Sequence, residues 1–182
     1  EYFELGDNDR RKRGLPRIDT HVYARENGWA INALAVLYAV SGERECLEDA
    51  VRAADWICAH RSLLDGGFRH DAADPAGPYL GDTLAMGRAF LALYACTGDR
   101  AWLKKAADAI GFISKNFGSD LGFLTSAHVS ALKSQPQFDE NVGIARLANL
   151  LWHYTGNVED KKVAERAMLF VTTPGATNRR GY

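Results

Sequence analysis

The apolar positions of this chain fall into blocks of two alternating textures. From about Tyr23 to Ser41, Trp29, Ile31, Leu34, Val36, Leu37, Tyr38 and Val40 cover most of a helical circumference, and the last part carries no charge. A helix that is apolar nearly all round is expected to be buried nearly all round. From about Arg44 to His60 the texture changes. Leu47, Ala50, Val51, Ala54 and Ile57 form one stripe, while Glu48, Asp49, Arg52 and Asp55 face away, as in an amphipathic helix at the periphery. The contrast recurs in the pair Asp82–Cys96 and Arg100–Asn116, and less cleanly in Phe138–Tyr154 and Val158–Thr172. No β-sheet is expected.

These pairs are copies of one unit. Aligned on Gly42, Gly98 and Gly156, they lie 56 and 58 residues apart. Leu37-Tyr38, Leu93-Tyr94 and Leu151-Trp152 hold the same place before the glycine; Ala50, Ala106 and Ala164 hold the same place after it, as do Trp56, Phe112 and Phe170. Offsets of this kind share a helical face, so the chain carries an internal repeat. Each glycine stands where a helix C-terminus needs a left-handed residue, and Glu43, Asp99 or Asn157 opens the next helix. A Gly-aromatic pair follows each outer helix: Gly67-Phe68, Gly122-Phe123 and Gly181-Tyr182.

Three hairpins of buried-then-amphipathic helices, with a period longer than the helical solenoids, predict an all-α fold: an α/α toroid with an inner and an outer ring. Six such hairpins would close a ring and need roughly 340 residues. The three present form a half-ring or open arc, with repeats at about 21–70, 79–125 and 138–182 after a polar lead-in over 1–20. The chain does not begin with Met and is expected to be a piece of a longer one.

Composition narrows the function classes. With 22 basic and 23 acidic side chains the net charge is -1, which gives no electrostatic case for nucleic acid or an anionic membrane. The one dense basic run, Arg10-Arg11-Lys12-Arg13, follows Asp7 and Asp9 and reads as a solvated linker. No segment has the roughly 18 apolar residues of a membrane span. Cys46 and Cys58 lie about 18 Å apart along one helix, too far to bridge. All three cysteines read as packing residues, which favours a cytoplasmic over a periplasmic setting. No Cys/His ligand spacing and no phosphate-binding loop is present, so neither metal nor cofactor is expected.

The candidate chemistry lies sixteen residues before each turn glycine, at Glu26, Asp82 and Glu140, followed by Asn27, Thr83 and Asn141. In an alternating arrangement all three acids begin inner helices on one rim. Asp139, Asp19, His21, His70 and His128 are expected on the same side. Each acid alone satisfies a helix N-terminus. Together they form a cluster in which repulsion and burial can leave one carboxyl protonated as a general acid beside a base, as glycoside cleavage requires. Asn27 and Asn141 are candidate ligand-binding groups with His70. Trp29, Phe68, Tyr79 and Phe123 are candidate aromatic platforms, each with core packing as the plain alternative.

Three runs carry a likeness: Pro16-Arg17-Ile18-Asp19 to Asn27-Gly28-Trp29, then Leu80-Gly81-Asp82, then Leu93 to Leu103 (LYACTGDRAWL). They resemble the region that follows the thioredoxin-like domain in bacterial thioredoxin-domain proteins related to the spermatogenesis-associated thioredoxin-domain protein. That resemblance covers about residues 15–182 and implies a toroid of the six-hairpin glycosidase type, a class that also holds N-acylglucosamine 2-epimerases and unsaturated glucuronyl hydrolases. It implies an N-terminal thioredoxin-like domain as partner. The chain departs from the family at Glu26 and at Gly81-Asp82-Thr83.

Two functions are therefore expected. In the first, the arc is an accessory or binding domain of a thioredoxin-like protein, which meets a carbohydrate or protein partner at the rim and forms homodimers through exposed inner helices. The alternative is a carbohydrate-active enzyme, hydrolase or epimerase, with Asp82 and Glu140 as acid and base and Glu26 in support.

Overall fold

A computed structural model of the chain describes residues 2–14, 18–127 and 134–177. Within them lie α1 (Asp7–Arg13), α2 (Ala24–Ser41), α3 (Arg44–Arg61), α4 (Leu80–Thr97), α5 (Arg100–Asn116), α6 (Phe138–Thr155), α7 (Val158–Val171) and the short α8 (Pro174–Thr177). The six long helices stand where the hydrophobic pattern puts them. Among the described residues the only β pairing is isolated bridges between loops. Each hairpin packs on itself, and α4 lies between α2 and α6 with α3 and α5 behind it. This is the α/α toroid arrangement, three hairpins of it.

The hairpin turn is built the same way three times. Gly42, Gly98 and Gly156 have φ of 76°, 71° and 71°, and their N–H groups close on Tyr38, Tyr94 and Trp152 carbonyls at 2.8 Å. The hydroxyls of Ser41, Thr97 and Thr155 donate to the carbonyl four residues back and accept the N–H of Glu43, Asp99 and Asn157. One short polar residue thus serves a carbonyl at the end of one helix and a free N–H at the start of the next.

The inner helices are unequal in burial. Eleven residues of α4 are buried, against four of α2. The expectation that the first inner helix is buried nearly all round is thus corrected: Trp29 is 53% and Val40 84% exposed. Its apolar circumference packs chiefly on α3 and α4, and Val36, Leu37 and Val40 stay exposed. Where α2 and α4 meet, they meet closely. A Cβ on Gly28 would stand 2.8 Å from the Ala85 carbonyl carbon, so glycine there sets the distance between the two inner helices.

The lead-in is not wholly irregular. Asp7–Arg13 forms α1, with acids in its first turn and bases in its last, in the sense the helix dipole favours. Arg11 pairs with Asp7, and Lys12 with Asp9. None of α1 is buried, in keeping with a solvated run. Cys46, Cys58 and Cys96 are free thiols; burial pushes the Cys58 thiol pKa up. No described helix is long and apolar enough to cross a membrane.

Candidate functional site

The loops after α3 and α5 each fasten two hairpins together by a repeated device. The loop carbonyl at His70 or Thr125 accepts the first N–H of its own inner helix, Ala24 at 3.0 Å and Leu80 at 2.9 Å. The aromatic N–H, at Phe68 or Phe123, donates to the next inner helix, to Thr83 Oγ1 at 3.1 Å and Asn141 Oδ1 at 2.9 Å. Asn141 also donates to the carbonyls of Phe123 and Gln137 and is fully buried. Asn27 holds the equivalent place on α2, half-buried, with its amide donating to the Tyr23 carbonyl at 2.8 Å. Phe68 and Phe123 are core residues at 4% and 0% exposure. Phe68, Phe123 and Asn141 thus present no surface to a ligand, and their expected contact with substrate is corrected to loop anchoring.

The three acids share the rim of inner-helix N-termini, but their surroundings differ. Asp82 is sealed, 1% exposed. Its Oδ1 accepts the Arg25 N–H at 3.0 Å, in the first turn of α2, and lies 2.8 Å from His70 Nδ1. Burial raises its pKa; the His70 contact and the Arg25 N–H pull the other way. His70 stacks on Tyr23 at 4.5 Å, Tyr23 on His21 at 5.8 Å, and the Tyr79 ring meets His70 edge-on at 6.3 Å. The Tyr23 hydroxyl donates to Asp19, His21 pairs with Asp71, and Asp71 also accepts from the buried Arg61. This cluster holds α2 to α4. Asp82 positions the rim and does not front a cleft.

Glu140 occupies the same place relative to Thr125 as Asp82 does to His70: its Oε1 accepts the Thr125 hydroxyl at 3.1 Å. Its other oxygen is buried without a partner. Burial, foremost, pushes the Glu140 pKa up; the Thr125 hydroxyl opposes this, the charges of Asp139 and Asp82 add to it, and Arg25 opposes it.

Unlike Asp82, Glu140 opens on a cleft of about 380 Å³, lined among others by Arg25, Trp29, Gly81, Arg88 and Asp139. Gly81 leaves the space between two groups: its missing Cβ would lie 3.2 Å from Arg25 Cδ and 3.4 Å from Glu140 Oε1. Arg25 lies over the Trp29 ring at 5.2 Å and binds Glu26 Oε1 through two nitrogens at 3.0 and 2.9 Å. Glu26 therefore reaches the cleft through Arg25, and its second oxygen is also buried without a partner. Trp29 is the one candidate platform that faces this space. His128 and the Gly181-Tyr182 pair lie outside the described residues. Among the described residues no three acid, histidine or cysteine side chains gather as a metal site would need.

The cleft follows a stripe not singled out from the hydrophobic pattern. Counting back from the turn glycine, position seventeen is Arg25, Gly81 and Asp139; thirteen is Trp29, Ala85 and Gly143; ten is Asn32, Arg88 and Arg146; six is Val36, Ala92 and Leu150. Steps of four and three keep one helical face, and all twelve line this cleft or the adjoining one of about 320 Å³. They form the concave side of the arc.

Neither a protein-family profile nor any curated protein matches the chain. Solved structures match its fold. A family 76 glycoside hydrolase from a bovine Bacteroides thetaiotaomicron strain is similar over 81% of this chain and 34% of its own, at 17% identity and TM-score 0.70. Cellobiose 2-epimerase from Bacillus thermoamylovorans is similar over 84% and 44%, at 14% and 0.69. An inactive variant of the α-1,6-mannanase of a Salegentibacter species, in complex with α-1,6-mannotetrose, is similar over 92% and 51%, at 16% and 0.70. The fold is thus that of the six-hairpin glycosidase and sugar-epimerase toroids, and the chain spans between about a third and a half of these neighbours' lengths.

Proposed function

We propose that the cleft between α2, α4 and α6 binds a carbohydrate and performs acid/base chemistry on it, as a glycoside hydrolase or a sugar epimerase. The observation that carries this reading is Glu140: a carboxyl with a raised pKa and an unpartnered buried oxygen, opening on a cleft beside Trp29 and Arg25. A carboxyl whose pKa burial raises holds its proton more tightly and is suited to hand it to a leaving glycosidic oxygen or a sugar carbonyl. Asp139, adjacent but solvent-exposed, is the partner base. Neighbouring residues on a helix point in different directions, so the pair has one shielded and one solvated member. The inactive Salegentibacter mannanase variant is altered at two consecutive aspartates, which is an arrangement of the same kind. Trp29 supplies the platform for a sugar face. Asp82, His70, Tyr79 and Asn27 hold the rim in place, with Glu26 setting the direction of Arg25.

The structural likenesses favour this carbohydrate-active reading over an accessory role beside a thioredoxin-like domain. The exposed apolar face of α2 is still a surface for a covering partner, whether a homodimer or a thioredoxin-like domain, and size measurement in solution tests the homodimer. The enzyme reading is tested by incubating the protein with mannotetraose, cellobiose and related oligosaccharides and resolving products by chromatography. Cleavage or epimerisation that Glu140→Gln abolishes supports it, and no conversion of any saccharide contradicts it.

A further inference from the structure

Deeper on the concave face, ten positions before the turn glycines, stand Arg88 and Arg146, with Asn32 at the equivalent place on α2. Both arginines are exposed, and neither makes an ion pair or hydrogen bond among the described residues. The other two arginines that line a cleft are engaged: Arg25 pairs with Glu26, and Arg166 donates to the Ser119 carbonyl. They line one cleft with Leu91, Leu150 and Tyr154, and Arg88 also lines the cleft of Glu140. Each follows the acid of its own helix, Asp82 or Glu140, by six residues, about 9 Å along the axis. The concave face is thus divided by charge. Glu26, Asp139 and Glu140 stand at the rim with Arg25, and two uncompensated guanidiniums stand one to two turns below.

We infer that the site takes an anionic saccharide, with a carboxylate, sulfate or phosphate group held between Arg88 and Arg146 while the neutral part of the chain lies across Trp29 and Glu140. This deepens the carbohydrate reading and rests on it. The planar fork of a guanidinium matches such an oxyanion with two parallel N–H donors. Leu91 and Leu150 line the same cleft and offer apolar surface to the carbon skeleton beside that group. A wholly neutral saccharide would leave both charges unmatched.

The test is calorimetric titration of the protein in its natural full length, at low ionic strength. Neutral mannotetraose and cellotetraose are compared with tetragalacturonate and a sulfated oligosaccharide. The anionic probes are expected to bind about tenfold more tightly or better, and to lose that margin as salt rises. Carboxylate and sulfate arms tell which anion is preferred. Arg88→Met with Arg146→Met is expected to remove the preference with the melting temperature unchanged. Should that variant not fold, Arg88→Lys with Arg146→Lys decides, keeping the charge and losing the fork, with a weakened preference expected. Tight binding of neutral probes alone, indifferent to both variants, overturns this inference and leaves the carbohydrate reading standing. Binding of no saccharide at millimolar concentration overturns both.

Discussion

The carboxylate of Asp82, in the first turn of α4, accepts the N–H of Arg25 in the first turn of α2 at 3.0 Å. An acid that reads as a cap for its own helix caps its neighbour's instead. Tyr23, at the N-cap of α2, makes no side-chain cap, so Asp82 supplies an acceptor that the local sequence lacks. The close approach at Gly28 and Ala85 makes this reach feasible.

Asp82→Ala is therefore expected to destabilise the fold by about 1 kcal/mol, the cost of leaving the partly buried Arg25 N–H without its acceptor. Asp82→Asn, which keeps an acceptor for Arg25, is expected to cost less. Urea denaturation of the two variants checks the order, and equal losses would argue against the cross-helix cap.

Gly28→Val places carbon against the Ala85 backbone, which cannot turn aside as a side chain could. A loss of about 1–3 kcal/mol is expected from overpacking, along with altered geometry at Arg25 and Trp29. Thermal unfolding reads the first and saccharide affinity the second.

Thr83→Val keeps shape and removes the acceptor for the buried Phe68 N–H. The expected cost is about 1–3 kcal/mol, accompanied by faster amide exchange in the loop around Phe68. Unchanged exchange there would mean that the loop does not depend on this anchor.

Glu140 has a pH signature. Its folded-state pKa is raised by burial, so the folded state holds the proton more tightly than the unfolded one. Stability is then lost as pH climbs from the ordinary glutamate value through the raised folded value, and the loss is complete above it. Glu140→Gln removes the charge that burial penalises. The variant should melt above the wild type at pH 7, with the gap closing toward pH 4.

The helices and turns were legible because they are local. A turn glycine with a Ser or Thr before it and an Asp or Asn after it repeats at Gly98 and Gly156, and inner and outer textures alternate around it. The rim position of Glu26, Asp82 and Glu140 followed from register alone. Their separate fates did not, because burial depends on what the loops bring: His70 closes over Asp82, whereas Thr125 leaves one oxygen of Glu140 unmatched. The exposure of Val36, Leu37 and Val40 was hidden for a similar reason. An apolar circumference states what a helix prefers to meet, and that side of α2 stays exposed. Arg88 and Arg146 are not legible from the local pattern, because charge on an otherwise apolar helix marks a face only once the stripe is counted from Gly98 and Gly156.

The most direct measurement is turnover of the converted oligosaccharide by Glu140→Gln, beside Asp82→Asn as a control for rim geometry, with saccharide affinity measured for both. Loss of a general acid should lower kcat by about 10²–10⁴-fold in Glu140→Gln while binding persists. Wild-type kcat in that variant would contradict the assignment of the chemistry to Glu140.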